Sequence, residues 1–170
     1  MDKEAFYLQC LEVFHETAAL RGCARHGMVI APDLQPFGER AVTAYYGNPL
    51  LAAELAADPT QYYYTVNFFC LQCGILFADL FRTAPLSLTD GYVGTVTAMD
   101  PWPLAKRPVK ERLGMDLDQL NRLAAAVFNS WIDLVAPHEG AQDAADYIYY
   151  ATLAMYQLGI SLTAGKEKAG

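Results

Sequence analysis

Two long stretches of the chain carry no charged side chain, and they constrain the fold more than any other feature. They cover residues 59–78 and 147–165. Each is close to the roughly 20 residues that cross a bilayer core, so a membrane helix has to be weighed against a buried core helix. Each stretch holds several tyrosines, the first also holds Asn67 and Gln72, and no Lys/Arg-rich loop flanks either one. We therefore predict two helices at the centre of a helical bundle, without membrane insertion.

Helix start and stop signals divide the rest of the chain. Apolar side chains at i, i+3 and i+4 spacing predict a first helix within residues 3–25. Asp58 with Gln61, and Asp116 with Gln119, have the spacing of capping boxes. Together with prolines and glycines, these signals predict further helices over residues 33–46, 50–57, 59–82, 117–135 and 140–164. The predicted fold is a single all-α domain over residues 1–170, a compact bundle of five to six helices.

A long connection is predicted over residues 84–114. This segment holds four of the nine prolines and three glycines. The Asp90-Gly91 pair is typical of a tight turn and predicts a short hairpin of residues 86–89 against residues 92–96. Connections of this length are uncommon and often functional.

The net charge of −7 argues against a general affinity for nucleic acid, which needs a positive surface. Residues 102–114 are a local exception, with four basic residues against one acidic residue. This segment is suited to binding a phosphate or an acidic partner. Alternatively, it is a solvated helix start whose positive charge balances the acidic rest of the surface. The N-terminus has no pattern of a secretory signal, so we expect a cytoplasmic protein with reduced cysteines.

Two pairs of residues have metal-ligand spacing. Cys23 with His26, and Cys70 with Cys73, are each three residues apart, and four such ligands can surround a tetrahedral zinc ion. Cys70 and Cys73 lie inside an apolar helix, however, where cysteine packs as a small hydrophobic residue. This context favours core packing, and we expect no cofactor. The sequence has no nucleophile elbow, phosphate loop or dinucleotide fingerprint, so no catalytic residue is assigned.

The two uncharged stretches also resemble each other. A shift of 85 residues superposes Asp58, Tyr62, Tyr64, Gln72, Gly74 and Ile75 on Asp143, Tyr147, Tyr149, Gln157, Gly159 and Ile160. The match indicates either an internal duplication or two helices of similar composition. In either case Gly74 and Gly159 lie in the middle of predicted helices, where glycine is unfavourable, and so they predict a close helix crossing.

Several short segments resemble the TorD-like molybdoenzyme maturation chaperones. The sequences Phe77-Ala-Asp-Leu80-Phe81, Pro85-Leu-Ser87-Leu and Gly91-Tyr92 are similar to the helix end and the following segment of that family. Asp118-Gln119-Leu120 is similar to its Asp-His-Leu helix start, with Gln119 in place of the histidine. The resemblance implies an all-helical cytoplasmic protein that binds the twin-arginine leader of a redox-enzyme precursor and assists cofactor loading.

The function that we expect is non-catalytic binding of another polypeptide, with such a leader peptide as its most specific form. An acidic protein suits a cationic leader, and an apolar groove suits its hydrophobic stretch. The candidate partner-binding residues lie on or beside the long connection: Ser87, Tyr92, Trp102, Asp118 and Gln119.

Two alternatives stay open. One is a bundle that encloses a small apolar ligand or a metal between helices 59–82 and 140–164. The other is a homo-oligomeric structural protein, with a homodimer as its simplest form.

Overall fold

Helices make up the fold, as the sequence predicts. The computed structural model describes residues 2–23, 32–83 and 100–168, and these residues contain α-helices and no strand. The helices are α1 Lys3–Leu20, α2 Gln35–Tyr46, α3 Pro49–Ala57, α4 Pro59–Thr83, α5 Trp102–Pro108, α6 Leu117–Val135 and α7 Ala144–Lys168. Short 3-10 turns occupy Pro32–Leu34 and Ala136–His138, and one π-helical turn occupies Val109–Leu113.

Side-chain caps begin several of these helices where the sequence places them. The Asp116 carboxylate accepts a hydrogen bond from the Gln119 backbone N–H at 2.9 Å, and the Gln119 side-chain oxygen accepts one from the Asp116 N–H at 2.9 Å. This is the predicted capping box of α6. Asp58 accepts from the Gln61 N–H at 3.2 Å at the start of α4, and Asn48 accepts from the Leu50 N–H at 2.9 Å at the start of α3.

The two uncharged helices, α4 and α7, form the centre of the bundle. Residues 70–78 of α4 and residues 151–163 of α7 are buried throughout. Within the described ranges, α4 is the one helix that is long and apolar enough to cross a membrane, with a mean hydropathy of 1.4 over its most apolar window. More than half of that window, 56%, is buried inside the protein, as in the core helix of a helical bundle.

Gly74 and Gly159 form the closest approach of α4 and α7. A Cβ atom built on Gly74 would lie 3.0 Å from the Gly159 Cα and would overlap the Tyr156 carbonyl oxygen. A Cβ atom on Gly159 would likewise overlap the carbonyl oxygen of Leu71. The predicted close crossing is therefore confirmed, and it explains why glycine occupies the middle of both helices.

The predicted connection over residues 84–114 is wrong in its last third, which is helical. Pro101 and Pro103 lie at the start of α5, where proline is tolerated because no intrahelical donor is lost. Ala105 and Val109 are buried on one face of this segment. Gly114, with a φ of 66°, ends it in the left-handed conformation. The predicted hairpin over residues 86–96 lies outside the described residues.

Candidate functional site

An open groove lies where α2, α3, α4 and α7 meet. It has a volume of about 440 Å³, within the usual range for ligand sites. Because α4 and α7 both begin at this groove and cross at Gly74 and Gly159, they run in the same direction. We call this open groove the tyrosine groove. Its lining residues are Thr43, Tyr46, Leu55, Tyr62, Tyr63, Ala145, Asp146, Ile148 and Tyr149.

Mutual packing holds three of its tyrosine rings in place. The centroids of Tyr46 and Tyr62 are 6.1 Å apart, those of Tyr46 and Tyr63 are 6.4 Å apart, and those of Tyr62 and Tyr63 are 5.2 Å apart. The Tyr46 hydroxyl donates to the hydroxyl of Thr152, which in turn donates to the Ile148 carbonyl at 2.9 Å. The groove wall is therefore a rigid aromatic surface, and a ligand would bind it without ordering these rings first.

Burial keeps three tyrosine hydroxyls of the groove, those of Tyr46, Tyr62 and Tyr149, protonated at neutral pH. Burial raises the pKa of Tyr46 well above its ordinary value, because the phenolate would lose its hydration. Burial also raises the pKa of Tyr62 and of Tyr149. These three phenols therefore add no negative charge to the wall, and their hydroxyls act as neutral donors and acceptors.

Helix α3 adds an exposed apolar surface beside the groove. Its sequence consists of one proline, one glutamate, and otherwise alanine and leucine. Leu51 is its one buried residue, whereas Leu50 is 81% exposed and Leu55 is 38% exposed. An apolar helix that leaves most of its surface to solvent is typical of an interaction surface.

Acidic residues predominate around the tyrosine groove. Asp146 lines it, and Glu39 lies in an adjoining hollow of about 410 Å³ that shares Thr43 and Tyr149 with the groove. Arg40 lines the same hollow, with its guanidinium 5.3 Å from the centroid of the Phe37 ring.

Further charged side chains lie on or next to the helices that form the groove. Glu54 on α3 and the N-cap Asp58 of α4 are exposed. Lys3 pairs with Asp146 at 2.8 Å and with Asp143 at 3.5 Å. Acidic side chains outnumber basic ones among these described residues, so a cationic ligand is favoured over an anionic one.

A second, smaller cleft contains two of the sequence-predicted site residues. Trp102 and Asp118 line one cleft of about 340 Å³, together with Lys106, Lys110 and Met115. Basic side chains from α5 and the following π-helical turn therefore face the acidic start of α6 across the half-buried indole of Trp102. The two lysines are exposed, as expected for a solvated basic segment.

Of the other predicted partner-binding residues, Gln119 is the one within the described ranges. Gln119 does not line the cleft of Trp102 and Asp118, because its side chain is engaged in the capping box of α6. Ser87 and Tyr92 lie outside the described residues. In the structure the Gln119 side chain caps α6, whereas the family resemblance implies only a partner-binding role for this position.

The cysteines proposed as zinc ligands lie in the hydrophobic core. Cys70 and Cys73 are fully buried on α4, and the Cys73 sulfur is 3.3 Å from the Tyr45 hydroxyl. Burial raises the pKa of Cys73 to about 12, which favours the thiol over the metal-binding thiolate. Cys23 is buried after α1, and His26 lies outside the described residues. In the part of the chain that the structure describes, no group of three His, Cys, Asp or Glu residues could hold a metal ion.

Comparison with known proteins identifies no relative: no family model, no curated protein and no solved structure matches the chain. The tyrosine groove and the Trp102 cleft are therefore interpreted from their own chemistry.

One alternative from the sequence places a ligand between helices 59–82 and 140–164, and both helices line the tyrosine groove. The sequence did not indicate that α2 and α3 complete the groove, because these residues come from separate parts of the chain. Its lining combines residues 43–63 with residues 145–149. One local signal was present in the sequence. The exposed leucines of α3 immediately precede the tyrosines that begin α4, and this is more apolar surface than a helix of nine residues can bury on one face.

Proposed function

We propose that this protein binds another polypeptide in the tyrosine groove, without catalysis, and that it is a cytoplasmic chaperone for the twin-arginine leader of a redox-enzyme precursor. The single observation that carries the proposal is that this groove combines three features. The groove is open, four tyrosine rings together with the apolar side chains of Leu55 and Ile148 line most of it, and an exposed apolar helix extends it.

The apolar part of the groove supports binding of a hydrophobic peptide segment. Tyr62 and Tyr63 form one wall, and Leu55 forms another. Tyrosine supplies a large contact area at a small entropic cost, and it is a common residue at peptide-binding surfaces. An amphipathic helix or an extended apolar segment docks in such grooves by inserting a few large side chains.

The acidic surroundings support a cationic flank on that segment. Acidic side chains outnumber basic ones around the groove, and this net negative charge would attract the paired arginines of a leader. The nearest carboxylates are Glu39 in the adjoining hollow and Asp146, whose charge Lys3 partly neutralises. Such charges act mainly on the rate of association and on specificity, and salt screens them. The proposal therefore includes binding that weakens as ionic strength rises.

A labelled synthetic peptide tests the proposal. It contains two consecutive arginines followed by a hydrophobic stretch, and its binding is followed by fluorescence anisotropy. We expect saturable binding that Leu55→Lys weakens by about tenfold or more, because this change places a desolvated cation in the groove. Leu55 is exposed enough for the variant to fold.

Leu20→Lys is the matched control. Leu20 is 87% exposed at the end of α1 and does not line the groove, so this variant should bind the peptide like the unmodified protein. No binding by the unmodified protein, or equal losses in the two variants, would contradict the proposal.

The two alternatives give different results with the same protein. Native mass spectrometry would reveal a co-purified ligand if the groove holds a small apolar molecule. Light scattering would reveal a dimer that Leu55→Lys dissociates if the exposed surface of α3 contacts a second copy. A retained ligand that the peptide cannot displace, or such a dimer, would count against peptide binding.

A further inference from the structure

The crossing of α4 and α7 is reciprocal. A Cβ atom on Gly74 would contact the Tyr156 carbonyl oxygen, the Gly159 Cα and the Ile160 nitrogen. A Cβ atom on Gly159 would contact the corresponding atoms of Leu71, Gly74 and Ile75. Tyr156, Gly159 and Ile160 follow Leu71, Gly74 and Ile75 by 85 residues, which is the shift that relates the two uncharged stretches. The second set of contacts is therefore the first set with the two helices exchanged. The two helices are thus related by a local two-fold axis, as in a symmetric dimer interface.

The helices that flank this crossing follow the same relation. Tyr46 of α2 and Trp131 of α6 differ by 85 in number, and so do Tyr63 and Ile148. Trp131 packs against Tyr63 with 5.6 Å between centroids, and Tyr46 lies beside Ile148 in the tyrosine groove. In the same way Tyr64 corresponds to Tyr149. The contacts of these two tyrosines differ in one important respect.

The residue that packs on Tyr64 is large, whereas the corresponding residue beside Tyr149 is small. Tyr64 contacts the edge of Phe128, with centroids 5.4 Å apart and an angle of 71° between the rings. Phe128 is buried and stacks on Trp131 at 5.1 Å. The corresponding residue on the side of Tyr149 is Thr43, which is exposed and donates its hydroxyl to the Glu39 carbonyl at 2.8 Å. Thr43 and Tyr149 both line the tyrosine groove.

We propose that the bound polypeptide places an aromatic side chain on Tyr149, in the position that Phe128 occupies on Tyr64 in the other half of the fold. This inference rests on the proposed function and names the residue type that the groove selects. Thr43 leaves the space that a phenyl ring fills elsewhere in the molecule. Tyr149 is held edge-on by Tyr150, with centroids 5.5 Å apart at 89°, so its ring presents a fixed surface to an incoming aromatic ring.

The first test compares two peptides on the unmodified protein. Both contain two arginines and a hydrophobic stretch. One carries a single phenylalanine, and the other carries alanine at that position. We expect the alanine peptide to bind about tenfold more weakly or worse in fluorescence anisotropy, because the ring of the first peptide fills the space above Thr43.

The second test fills that space from within the protein. Thr43→Phe should weaken binding of the phenylalanine peptide about tenfold and should make the two peptides bind equally. Thr43→Val is the matched control, since it keeps the size of the side chain and should preserve the difference between the peptides. Thermal unfolding of Thr43→Phe should show a melting temperature no lower than that of the unmodified protein, because a Tyr–Phe contact of the Tyr64–Phe128 type forms inside the groove.

The outcomes separate this inference from the proposed function. If both peptides bind the unmodified protein equally tightly, the aromatic site is wrong while peptide binding stands. If neither peptide binds, the proposed function and the aromatic site both fall. If Thr43→Phe does not fold, Tyr149→Leu replaces it, and the aromatic site is overturned when this variant still prefers the phenylalanine peptide tenfold.

Discussion

Gly74 and Gly159 bring the backbones of α4 and α7 into direct contact, with the Cβ position of each 3.0 Å from the Cα of the other. Both glycines are buried, and the atoms that surround them are mostly backbone atoms of the opposite helix, which cannot move aside as a side chain can. The crossing therefore fixes how closely the two central helices pack. It also leaves no room for a ligand between them at this level.

Substitution of either glycine should destabilise the fold. We expect Gly74→Ala and Gly159→Ala each to lower the free energy of unfolding by about 3 kcal/mol, since a methyl group at this position separates the two helices. Urea denaturation measures the change. Gly140→Ala is the matched control, because a Cβ atom there meets nothing within 4 Å, and this variant should be as stable as the unmodified protein or slightly more stable. A Gly74→Ala variant as stable as Gly140→Ala would show that the helices do not cross this closely.

The capping box of α6 should contribute to stability rather than to binding. Asp116→Ala is expected to lower the free energy of unfolding by about 1 kcal/mol, because the Gln119 backbone N–H loses its acceptor. Gln119→Ala should give a smaller loss in the same measurement, and neither change should alter the affinity for the leader peptide. A large loss of affinity with unchanged stability in Gln119→Ala would restore the binding role that the family resemblance implies for this position.

His15 should make the fold sensitive to mild acid. Its Nδ1 atom donates to the Leu11 carbonyl at 2.8 Å, and burial lowers the pKa of the imidazole below its ordinary value of 6.5. The unfolded chain therefore takes up a proton at a pH where the folded protein does not. The stabilising contribution of the neutral ring is complete above the ordinary pKa, and it is lost progressively as the pH falls below it.

Melting temperatures measured from about pH 7.5 down to about pH 5 test this expectation. The unmodified protein should lose more stability over this interval than His15→Gln, because glutamine at position 15 takes up no proton. Parallel melting curves for the two proteins would mean that His15 is not shielded from water in the folded state.

Three cysteines should be unreactive in the folded protein. Cys10, Cys70 and Cys73 are fully buried, and burial raises the pKa of Cys10 and of Cys73 to about 12. Very little thiolate forms at neutral pH, so a thiol reagent should label these residues only after the protein unfolds. The measurement uses Cys23→Ser, so that every labelled thiol comes from the three core positions. Rapid labelling of the native variant would indicate that α1 or α4 opens to solvent.

Features that depend on local sequence could be predicted, and the structure confirms them. The capping box of Asp116 and Gln119 sets the start of α6, because its hydrogen bonds join residues only three positions apart. The two uncharged helices had to be buried somewhere, and the mid-helix glycines indicated where they would meet.

Features that depend on tertiary packing could not be predicted. The prolines at positions 101, 103 and 108 indicate a break, yet residues 102–113 are helical because Ala105 and Val109 bury one face against the bundle. Arg112 lies 3.6 Å from Asp79 of α4, and this contact is visible only in the folded chain. The tyrosine groove belongs to the same class, since no local pattern connects Thr43 with Tyr149.

The most direct test of peptide binding in the tyrosine groove is a titration of the ¹⁵N-labelled protein with the twin-arginine peptide, followed by two-dimensional NMR. We expect the largest amide shifts at Thr43, Leu55 and Ile148, with smaller changes along the rest of α3. Shifts confined to the cleft around Trp102 and Asp118 would place the peptide at a different site. A spectrum that the peptide leaves unchanged would contradict the proposed function itself.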